Sequence, residues 1–452
     1  MAVTHYPKQS HFATWLEGKR SRRILDAVLV VLLIAALLLP PISLIDRVTD
    51  LGTARVPETG GTLTDPDGTQ VIFNPGTIAQ PFRANLTSIP RVTFLEGSAG
   101  GDLLDAAKAI PQNLVAKSPF YQLNLRGEPP TQSVWVAPIP NDSEPYETLD
   151  VYTWDSTAKQ WQWLPHTVIS EDDQIESRVN AVPTSLMIMQ TNPKPALVAM
   201  DAALASNLPA DGSGAIAEVH PTGLYLGGNG AIDGSVDATF DQLGGTFAVT
   251  PVIRNYDGPI VRTDLLANML VDTTQRDAHI DALVNLAVGN LYKGIDLDYR
   301  GLDKNLRGEF NQFLKLLADK LHAQNKQLSV RVDPASQIAE DRFDTGAYDW
   351  QAIGMIADTV GIPAPVDPRA YAPGGQFDAL LRYAVGQVDR FKIQPVFSGR
   401  SVELAGAYLL QKSYSDALQP LIGRVSADQT VVEPGQPLNL ALVSSRPTSG
   451  LV

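Results

Sequence analysis

The stretch of sequence that decides the fold is Leu291-Tyr-Lys-Gly-Ile-Asp-Leu-Asp-Tyr-Arg300. It predicts a β-strand with two unlike faces, because successive side chains of a strand point in opposite directions. The polar face holds Asp296, Asp298 and Arg300. The apolar face holds Ile295, Leu297 and Tyr299. We therefore expect the polar face to line a site and the apolar face to pack against covering helices.

Helical patterns lie on both sides of this strand. Residues 277–291 and 306–321 each repeat apolar side chains at the spacing of an amphipathic helix. The second pattern leads into the short run Leu328-Ser-Val-Arg-Val332. An isolated alternation of apolar and acidic residues is typical of any half-buried strand, but helices and strands that follow each other in turn indicate a parallel α/β fold.

The fold class we predict is α/β, with a TIM-type (β/α)8-like barrel over residues 194–425. Seven segments have the composition of its strands: 196–200, 223–226, 246–253, 291–300, 328–332, 359–363 and 392–397. Residues 426–452 form a β-rich C-terminal segment. We expect the last strand of the barrel to be atypical or to lie beyond Val452, which would leave the barrel incomplete at its C-terminal end.

The motif strand resembles the signature of glycoside hydrolase family 18, the chitinase-like barrels, which reads D-x-x-D-x-D-x-E. Its four defined positions are here Lys293, Asp296, Asp298 and Arg300. Residues 348–362 and 371–375 are similar to the sixth-strand region in the branch of the family that lyses cell walls and spore cortex. The two inner aspartates match the signature, whereas both outer positions carry cations.

The resemblance implies a mechanism that this chain departs from. In the family the glutamate protonates the glycosidic oxygen, and the last aspartate orients the N-acetyl group of the substrate, which acts as the nucleophile. Arg300 stands at the glutamate position. A guanidinium stays protonated at physiological pH, so it donates hydrogen bonds but cannot act as a general acid. We expect Arg300 to pair with Asp298 instead.

Two further departures concern the rest of the site. The family usually has Met-x-Tyr-Asp on its sixth strand, where this chain has Gly361-Ile-Pro-Ala-Pro365, and no tryptophan follows Trp350 to stack under a sugar. We therefore predict that hydrolysis is lost. One alternative is an active glycosidase that uses Asp303 or Glu309 as a displaced acid. Another is a structural barrel in which Arg300 and Lys293 simply neutralise the aspartates.

The predicted ligand is an N-acetylated or cell-wall glycan bound at the mouth of the barrel. The candidate ligand-binding residues are Asp296, Asp298, Arg300, Asn255 and Tyr371. The aspartates would accept hydrogen bonds from sugar hydroxyl or amide groups, and Arg300 could meet a carboxylate such as a muramyl lactyl group. We predict no metal and no cofactor.

The amino-terminal region predicts a membrane anchor. Residues 24–45 are almost wholly apolar, and a helix of this length can span a bilayer as a signal anchor. The basic tail, 1–23, would stay in the cytoplasm, and a stalk, 46–59, would lead to exported domains at the cell surface. A cleaved signal peptide is the alternative, although residues 42–46 lack the small-x-small spacing that signal peptidase needs.

Composition excludes some classes of partner and site. The net charge of −14 argues against binding to nucleic acid, which requires basic surfaces. The chain has no cysteine, so it can form neither disulfides nor thiolate metal sites. The exported domains must therefore be stabilised by their hydrophobic cores.

Residues 60–192 have the short strands and frequent turn residues of a β-sandwich. Their opening, 60–76, resembles the sandwich module of ankyrins and netrin receptors. The hairpin formed by 148–154 and 160–164 carries three tryptophans, Trp154, Trp161 and Trp163. These rings could stack on sugars, but packing across the hairpin is the interpretation we favour.

Overall fold

A computed structural model describes residues 52–98, 100–192, 198–208, 216–243, 247–405, 408–413, 416, 425–427 and 440–442. The predicted transmembrane helix (24–45), its basic tail and the start of the stalk lie outside these residues, as does most of the expected C-terminal segment. Among the helices that are described, none combines the length and the apolar character needed to cross a bilayer.

The first part of the described chain forms two antiparallel sheets. Their strands are β1 (Ala54–Val56), β2 (Gly61–Thr64), β3 (Gln70–Phe73), β4 (Phe82–Ile89), β5 (Leu114–Ala116), β6 (Phe120–Arg126), β7 (Ser133–Pro138), β8 (Leu149–Asp155), β9 (Gln160–Leu164), β10 (Thr167–Ile169), β11 (Gln174–Val179) and β12 (Ser185–Thr191). One sheet has the order β1-β4-β6-β12-β8-β9, with β5 also pairing β12, and the other has the order β10-β11-β7-β3-β2.

The two sheets share one hydrophobic core, because alternate side chains of each strand point between them. Val71 and Trp135 come from one sheet, and Leu123 and Val151 from the other, and all belong to the same buried cluster. Sheets that face each other over such a core form a β-sandwich. The sequence predicted a sandwich in this region.

A second cluster lies on the outer side of one sheet, beneath the short helices α1 (Arg91–Leu95) and α2 (Gly101–Lys108). Here the three tryptophans of the hairpin use their indole N–H groups within the protein. Trp154 donates to Asp102 (3.1 Å), Trp161 to the carbonyl of Ala106 (2.9 Å) and Trp163 to Asp150 (3.4 Å). The structure therefore supports internal packing rather than a sugar-binding role for these rings.

The second part of the described chain is an α/β array. Its strands are β13 (Val198–Ala202), β14 (Ile216–Pro221), β15 (Leu224–Leu226), β16 (Ile232–Gly234), β17 (Ala248–Val249), β18 (Val252–Arg254), β19 (Tyr256–Asp257), β20 (Ile260–Val261), β21 (Gly294–Asp298), β22 (Gln327–Arg331), β23 (Ser336–Ala339), β24 (Arg342–Asp344), β25 (Thr359–Pro363), β26 (Ile393–Val396), β27 (Ser401–Ala405), β28 (Tyr408–Lys412), β29 (Val425–Ala427) and β30 (Leu440–Leu442).

Parallel pairing links the strands that were predicted from the sequence. One sheet has the order β13-β14-β17, and the adjoining sheet has the order β16-β15-β18-β21-β22-β25-β26. Each of the seven predicted segments overlaps at least one of these strands, whereas β14 and β16 were not predicted. The segment expected to supply a last strand, after β28, lies almost wholly outside the described residues.

Helices alternate with the later strands. They are α3 (Thr263–Val271), α4 (Thr273–Gly289), α5 (Arg307–His322), α6 (Trp350–Ile356) and α7 (Gln376–Gln387). Short 3₁₀ helices occur at Tyr146–Thr148, Ser170–Asp172, Ala205–Asn207, Gly228–Gly230, Ala238–Leu243, Lys304–Leu306 and Pro368–Tyr371. The sequence predicted α4 and α5 to within a few residues, because their apolar side chains repeat at helical spacing.

Local chemistry fixes the ends of α4. The carboxylate of Asp272 accepts hydrogen bonds from the backbone N–H groups of Thr274 (2.8 Å) and Gln275 (3.3 Å), which satisfies donors that the first helical turn leaves unpaired. At the other end, Leu291 takes the left-handed conformation with φ of 60°. The chain therefore leaves the helix and turns into β21 within a few residues.

The predicted two-faced character of β21 is confirmed. Ile295, Leu297 and Tyr299 lie in the buried cluster between the strands and the helices, together with Phe313 of α5. The alternate residues of β21 point to the other side of the sheet, towards the interior of the array.

A buried ion pair joins the sandwich to the α/β array. The guanidinium of Arg390, in the turn between α7 and β26, donates to both carboxylate oxygens of the buried Asp150 on β8, at 2.6 and 3.0 Å. Nearby, the backbone N–H of His166 donates to the carbonyl of Gly386, at 3.0 Å. The two parts therefore contact each other through specific polar groups as well as through the chain that links them.

The close approach at Gly386 leads to a testable prediction. A Cβ atom at this position would lie 2.4 Å from the carbonyl oxygen of His166, and a backbone atom cannot move aside easily. We expect Gly386→Ala to lower the free energy of unfolding by about 1–3 kcal/mol. The control is Gly308→Ala in α5, where a Cβ would meet nothing within 4 Å. Equal denaturation midpoints for the two variants would show that the contact between the two parts is not tight.

Candidate functional site

Two aspartates of β21 point into the interior of the array near the carboxyl ends of its strands. Asp296 is completely buried, and Asp298 is 4 % exposed. Arg300 follows the end of the strand, and half of its side chain is exposed. The carboxyl edge of a parallel barrel is where active sites of this architecture lie. We call the part of this edge around Asp298 and Arg300 the mouth.

The predicted pairing of Arg300 with Asp298 is present. The Nε and Nη2 atoms of Arg300 donate to the two oxygens of Asp298, at 3.0 and 3.1 Å. The hydroxyl of Tyr256 also donates to Asp298, at 2.5 Å. The guanidinium carbon of Arg300 lies 4.0 Å from the centre of the Tyr256 ring, which is a cation–π contact. Both oxygens of Asp298 are therefore occupied by groups of the protein itself.

Burial and charge shift the pKa values of these groups. Burial opposes the positive charge of Arg300, but its bonds to Asp298 raise its pKa overall. Burial raises the pKa of Tyr256, and the neighbouring charge of Asp298 raises it further. Both side chains therefore remain protonated donors over the physiological pH range.

Asn255 fixes the backbone of Arg300. Its Nδ2 donates to the carbonyl of Arg300 at 2.9 Å, and its Oδ1 accepts from the Arg300 N–H at 2.8 Å. Asn255 is buried, and both ends of its amide are committed to this contact. It therefore positions Arg300 and does not present a free amide to a ligand.

A second network lies deeper, around Asp296. The guanidinium of Arg331, on β22, donates to Asp296 through Nε at 2.7 Å and approaches the same oxygen through Nη2 at 2.6 Å. The same guanidinium also donates to both oxygens of Asp201 on β13, at 2.8 and 2.7 Å. His220 Nδ1 lies 3.3 Å from Asp296. Arg331 thus connects three strands of the array through one buried cation.

The pKa values in this network favour the charged forms. Burial alone would raise the pKa of Asp296, but Arg331 and His220 hold it well below its usual range. Burial alone would lower the pKa of His220, but Asp296 and Glu218 raise it to about 9. Glu218 has a pKa lowered to about 2, since the bonds it accepts from His220 and Lys293 outweigh its burial. His220 is therefore a cation at neutral pH.

Lys293 has a different partner from the one expected. Its Nζ donates to Glu218 on β14 at 2.7 Å. The suggestion that Lys293 neutralises the two aspartates is therefore wrong, because its ammonium group pairs with Glu218 instead. Arg331 and His220 supply the cations for Asp296 instead.

Tyr371 lies in a cluster of aromatic rings beyond the end of β25. Its ring centre is 5.0 Å from that of Phe377 and 6.3 Å from that of Phe397, and its hydroxyl donates to the carbonyl of Pro365. Tyr371 is 42 % exposed. It follows β25, which ends at the same carboxyl edge as β21, but these contacts join it to other rings and to a backbone carbonyl rather than to the charged residues of the mouth.

The acids proposed as substitutes for the missing glutamate lie in the loop after β21 and at the start of α5, as their positions in the sequence predict. Asp303 accepts a hydrogen bond from the N–H of Asn305 at 2.8 Å and so caps a 3₁₀ turn. Glu309 lies in the first turn of α5. A third acid, Asp333, lies closer to the motif, since it accepts from the N–H of Gly301 at 3.1 Å. Burial raises the pKa of Asp333, and the charge of Asp298 adds to this effect.

Several site residues were not identified from the sequence. They are Asp201, Glu218, His220, Arg254, Tyr256, Arg331 and Asp333. For some of them the sequence does contain a signal, because polar residues alternate with apolar ones along their strands. Ser329 and Arg331 alternate with Leu328 and Val330 in β22, as the aspartates do in β21. Alternation of this kind indicates a polar interior but does not say which charges meet.

Comparison with known proteins finds two curated proteins that part of the chain resembles. No family model matches the sequence. It is 27 % identical over 115 residues to the uncharacterized glycosylase YvbX of Bacillus subtilis, a match that covers 25 % of this chain and 33 % of YvbX. It is 24 % identical over 148 residues to the cortical fragment-lytic enzyme of the same organism, covering 31 % of this chain and 34 % of that protein. The matches span about a third of each curated relative.

Solved structures with a similar fold include a spore cortex-lytic enzyme and a chitinase. The spore cortex-lytic enzyme SleL of Bacillus cereus is 14 % identical, with a TM-score of 0.43 and coverage of 76 % of this chain and 83 % of SleL. A chitinase of Chromobacterium violaceum is 20 % identical, with a TM-score of 0.43 and coverage of 56 % of this chain and 84 % of the chitinase. The curated relatives are named as a glycosylase and a cortical fragment-lytic enzyme, so the resemblance to glycoside hydrolase family 18 is confirmed.

The buried pair of Arg331 and Asp296 predicts a large effect on stability. Removing the cation with Arg331→Ala leaves a completely buried carboxylate with much less compensation. We expect a loss of about 3–5 kcal/mol in the free energy of unfolding, measured by chemical denaturation. The control is Arg369→Ala, since Arg369 is exposed and pairs with Asp367 at the surface, and it should not change stability measurably. A small effect at both positions would contradict the account of this network.

The raised pKa of His220 predicts how stability depends on pH. The folded-state pKa is about 9, above the unfolded value of about 6.5. The stabilisation from protonated His220 is therefore complete below pH 6.5 and is lost as the pH rises through 9. We expect the wild-type chain to lose on the order of 1–3 kcal/mol across this window, and His220→Gln to lose less. Parallel pH curves for the two proteins would refute this assignment.

Proposed function

We propose that this chain is a membrane-anchored, exported protein that binds N-acetylated cell-wall glycan at the mouth of its barrel without hydrolysing it. The observation that carries the proposal is the pairing of Arg300 with Asp298. The residue at the position of the family's proton donor donates to both oxygens of the aspartate that would orient the N-acetyl group.

The loss of hydrolysis follows from the protonation states of these side chains. General acid catalysis needs a group that can release its proton within hydrogen-bond reach of the leaving oxygen. Arg300 has a pKa raised above its ordinary value and does not release a proton under physiological conditions. Asp298 could orient a substrate only if it first gave up its bonds to Arg300 and Tyr256.

The retention of glycan binding is supported by the relatives and by the groups that remain at the mouth. The curated relatives are a glycosylase and a cortical fragment-lytic enzyme. Arg300 is half exposed, and Tyr256 beneath it is partly buried, so the mouth offers fixed hydrogen-bond donors. Asp296 is completely buried, so we assign it to holding Arg331 rather than to direct contact with sugar.

The membrane anchor and the location at the cell surface are part of the same proposal. They rest on the apolar segment 24–45 and on the basic residues that precede it. Membrane fractionation, followed by protease treatment of intact cells, tests both. The proposed topology requires the chain to stay in the membrane fraction and to be digested from outside.

A second candidate function is hydrolysis with Asp333 as the displaced acid. The specific observation in its favour is that Asp333 accepts a bond from Gly301, directly after Arg300, and has a raised pKa. A raised pKa keeps more of a carboxylic acid protonated near neutral pH, which a general acid requires. Asp333, rather than Asp303 or Glu309, is therefore the residue to change if turnover is found.

The test is a paired assay of binding and hydrolysis with the full-length chain and N-acetylglucosamine oligosaccharides. We expect saturable binding without turnover, and we expect Asp298→Ala to weaken binding about tenfold because Arg300 loses its fixed position. Asp303→Asn is the control and should bind as the wild type does. Turnover that Asp333→Asn abolishes would establish the second candidate, and the absence of both binding and turnover would favour a structural barrel.

A further inference from the structure

We propose that Arg300 and Arg254 together form a carboxylate-binding site beside Tyr256, so that the glycan bound at the mouth is an acidic one. The inference rests on the proposed function and adds the chemical class of the ligand. The site would select a sugar that carries a carboxylate, such as a lactyl ether or a uronic acid, over a neutral N-acetylated sugar.

Arg300 is built as a rigid, accessible donor. Two of its N–H groups bond to Asp298, and its backbone is held by the amide of Asn255. A guanidinium has five N–H donors, so others remain for a ligand. The side chain is half exposed although its partner Asp298 is buried. A planar guanidinium fixed in this way can bind a carboxylate through paired hydrogen bonds with little loss of entropy.

Arg254 is the second cation at the same ring, and its hydrogen bonds are incomplete. Its guanidinium carbon lies 5.5 Å from the ring centre of Tyr256, where that of Arg300 lies at 4.0 Å. It donates to Asp201 at 3.2 Å, while its Nε is buried without a hydrogen-bond partner among the described residues and lies 3.9 Å from Asp298. The Nε is closed off by the protein, but 21 % of the Arg254 side chain is exposed, so an acceptor on a ligand would reach the guanidinium through its Nη atoms.

The acidic residues of the mouth are already engaged. Asp298 accepts bonds from Arg300 and Tyr256, and both oxygens of Asp201 accept bonds from Arg331. Asp333 accepts from the Gly301 N–H. An incoming ligand therefore meets donors of the two arginines that still lack acceptors, beside Asp298 and Asp201, whose oxygens already accept hydrogen bonds. This arrangement favours a ligand that brings its own acceptor, and a carboxylate is the acceptor that matches a guanidinium best.

The acidic surface of the whole chain does not prevent this selection. The net charge of −14 opposes anions at long range. Salt screens such repulsion beyond about 8 Å at physiological ionic strength, whereas contacts inside a partly buried site are screened much less. The selection therefore depends on the local geometry of two guanidinium groups rather than on the overall charge.

The experiment compares tetrasaccharides of equal length by calorimetry with the full-length chain. The probes are the neutral N-acetylglucosamine tetramer, a peptidoglycan-derived tetramer with free lactyl carboxylates, its methyl ester, and a uronic-acid tetramer. We expect the acidic probes to bind about 10- to 100-fold more tightly than the neutral tetramer and the ester. Whichever acidic probe binds more tightly identifies the source of the carboxylate.

Two variants assign the selection to these arginines. Arg300→Gln and Arg254→Gln should each bring the affinity for the acidic probes close to that for the neutral tetramer. Arg262→Gln is the matched control, because Arg262 is as exposed as Arg300 and also pairs with an aspartate two residues away, but one that is exposed. It should leave the preference unchanged. Denaturation midpoints confirm that each variant is folded, and Arg300→Lys offers a milder change that keeps the charge and should retain part of the preference.

The remaining outcomes are distinguishable. Equal binding of neutral and acidic probes would overturn this inference and leave the proposed function intact. A preference for the acidic probes that both glutamine variants retain would overturn the assignment to Arg300 and Arg254. The failure of every probe to bind would overturn the proposed function, and this inference with it.

Discussion

The buried carboxylate of Asp296 is the constraint on which the rest of the mouth depends. A charge that is removed from water is strongly destabilising unless partners compensate for it. Arg331 and His220 supply that compensation, and Arg331 extends it to Asp201 on the first strand of the array. Because these partners come from different strands, the same bonds that neutralise Asp296 also fix how the strands are placed relative to one another.

Asp298 is likewise neutralised by an arginine, but with a different consequence for the site. Asp298 is also buried, but its main partner, Arg300, lies at the end of the strand and is half exposed. A protein that cleaves glycosidic bonds by the family's mechanism needs a proton donor at this position and a free aspartate next to it. Here the cation Arg300 stands in place of the proton donor, and it is hydrogen-bonded to both oxygens of the aspartate. The exchange leaves a mouth that is internally neutralised and rich in donors, and this is the basis on which we propose ligand recognition without bond cleavage.

The sequence predicted those features that depend on local periodicity. The alternation in residues 291–300 identified the buried strand and its two faces, and the helical spacing around it identified α4 and α5. The pairing of Arg300 with Asp298 could be predicted because the two residues are neighbours on one face of one strand. Even the signature position at Lys293 could be located, although its partner could not.

What the sequence could not provide is the set of contacts between distant strands. Arg331 is 35 positions from Asp296 and 130 from Asp201, and no local pattern joins them. For the same reason Lys293 was assigned to the wrong acids, since Glu218 lies on a strand 75 positions away. Asp333 was overlooked as a neighbour of Arg300 because the two meet only where β21 and β22 end side by side.

The most direct test of the account is the fate of a bound ligand. An N-acetylated tetrasaccharide would be incubated with an excess of the full-length chain and analysed by mass spectrometry. The account predicts that the saccharide is recovered whole from the complex, whereas shorter fragments with new reducing ends would contradict it.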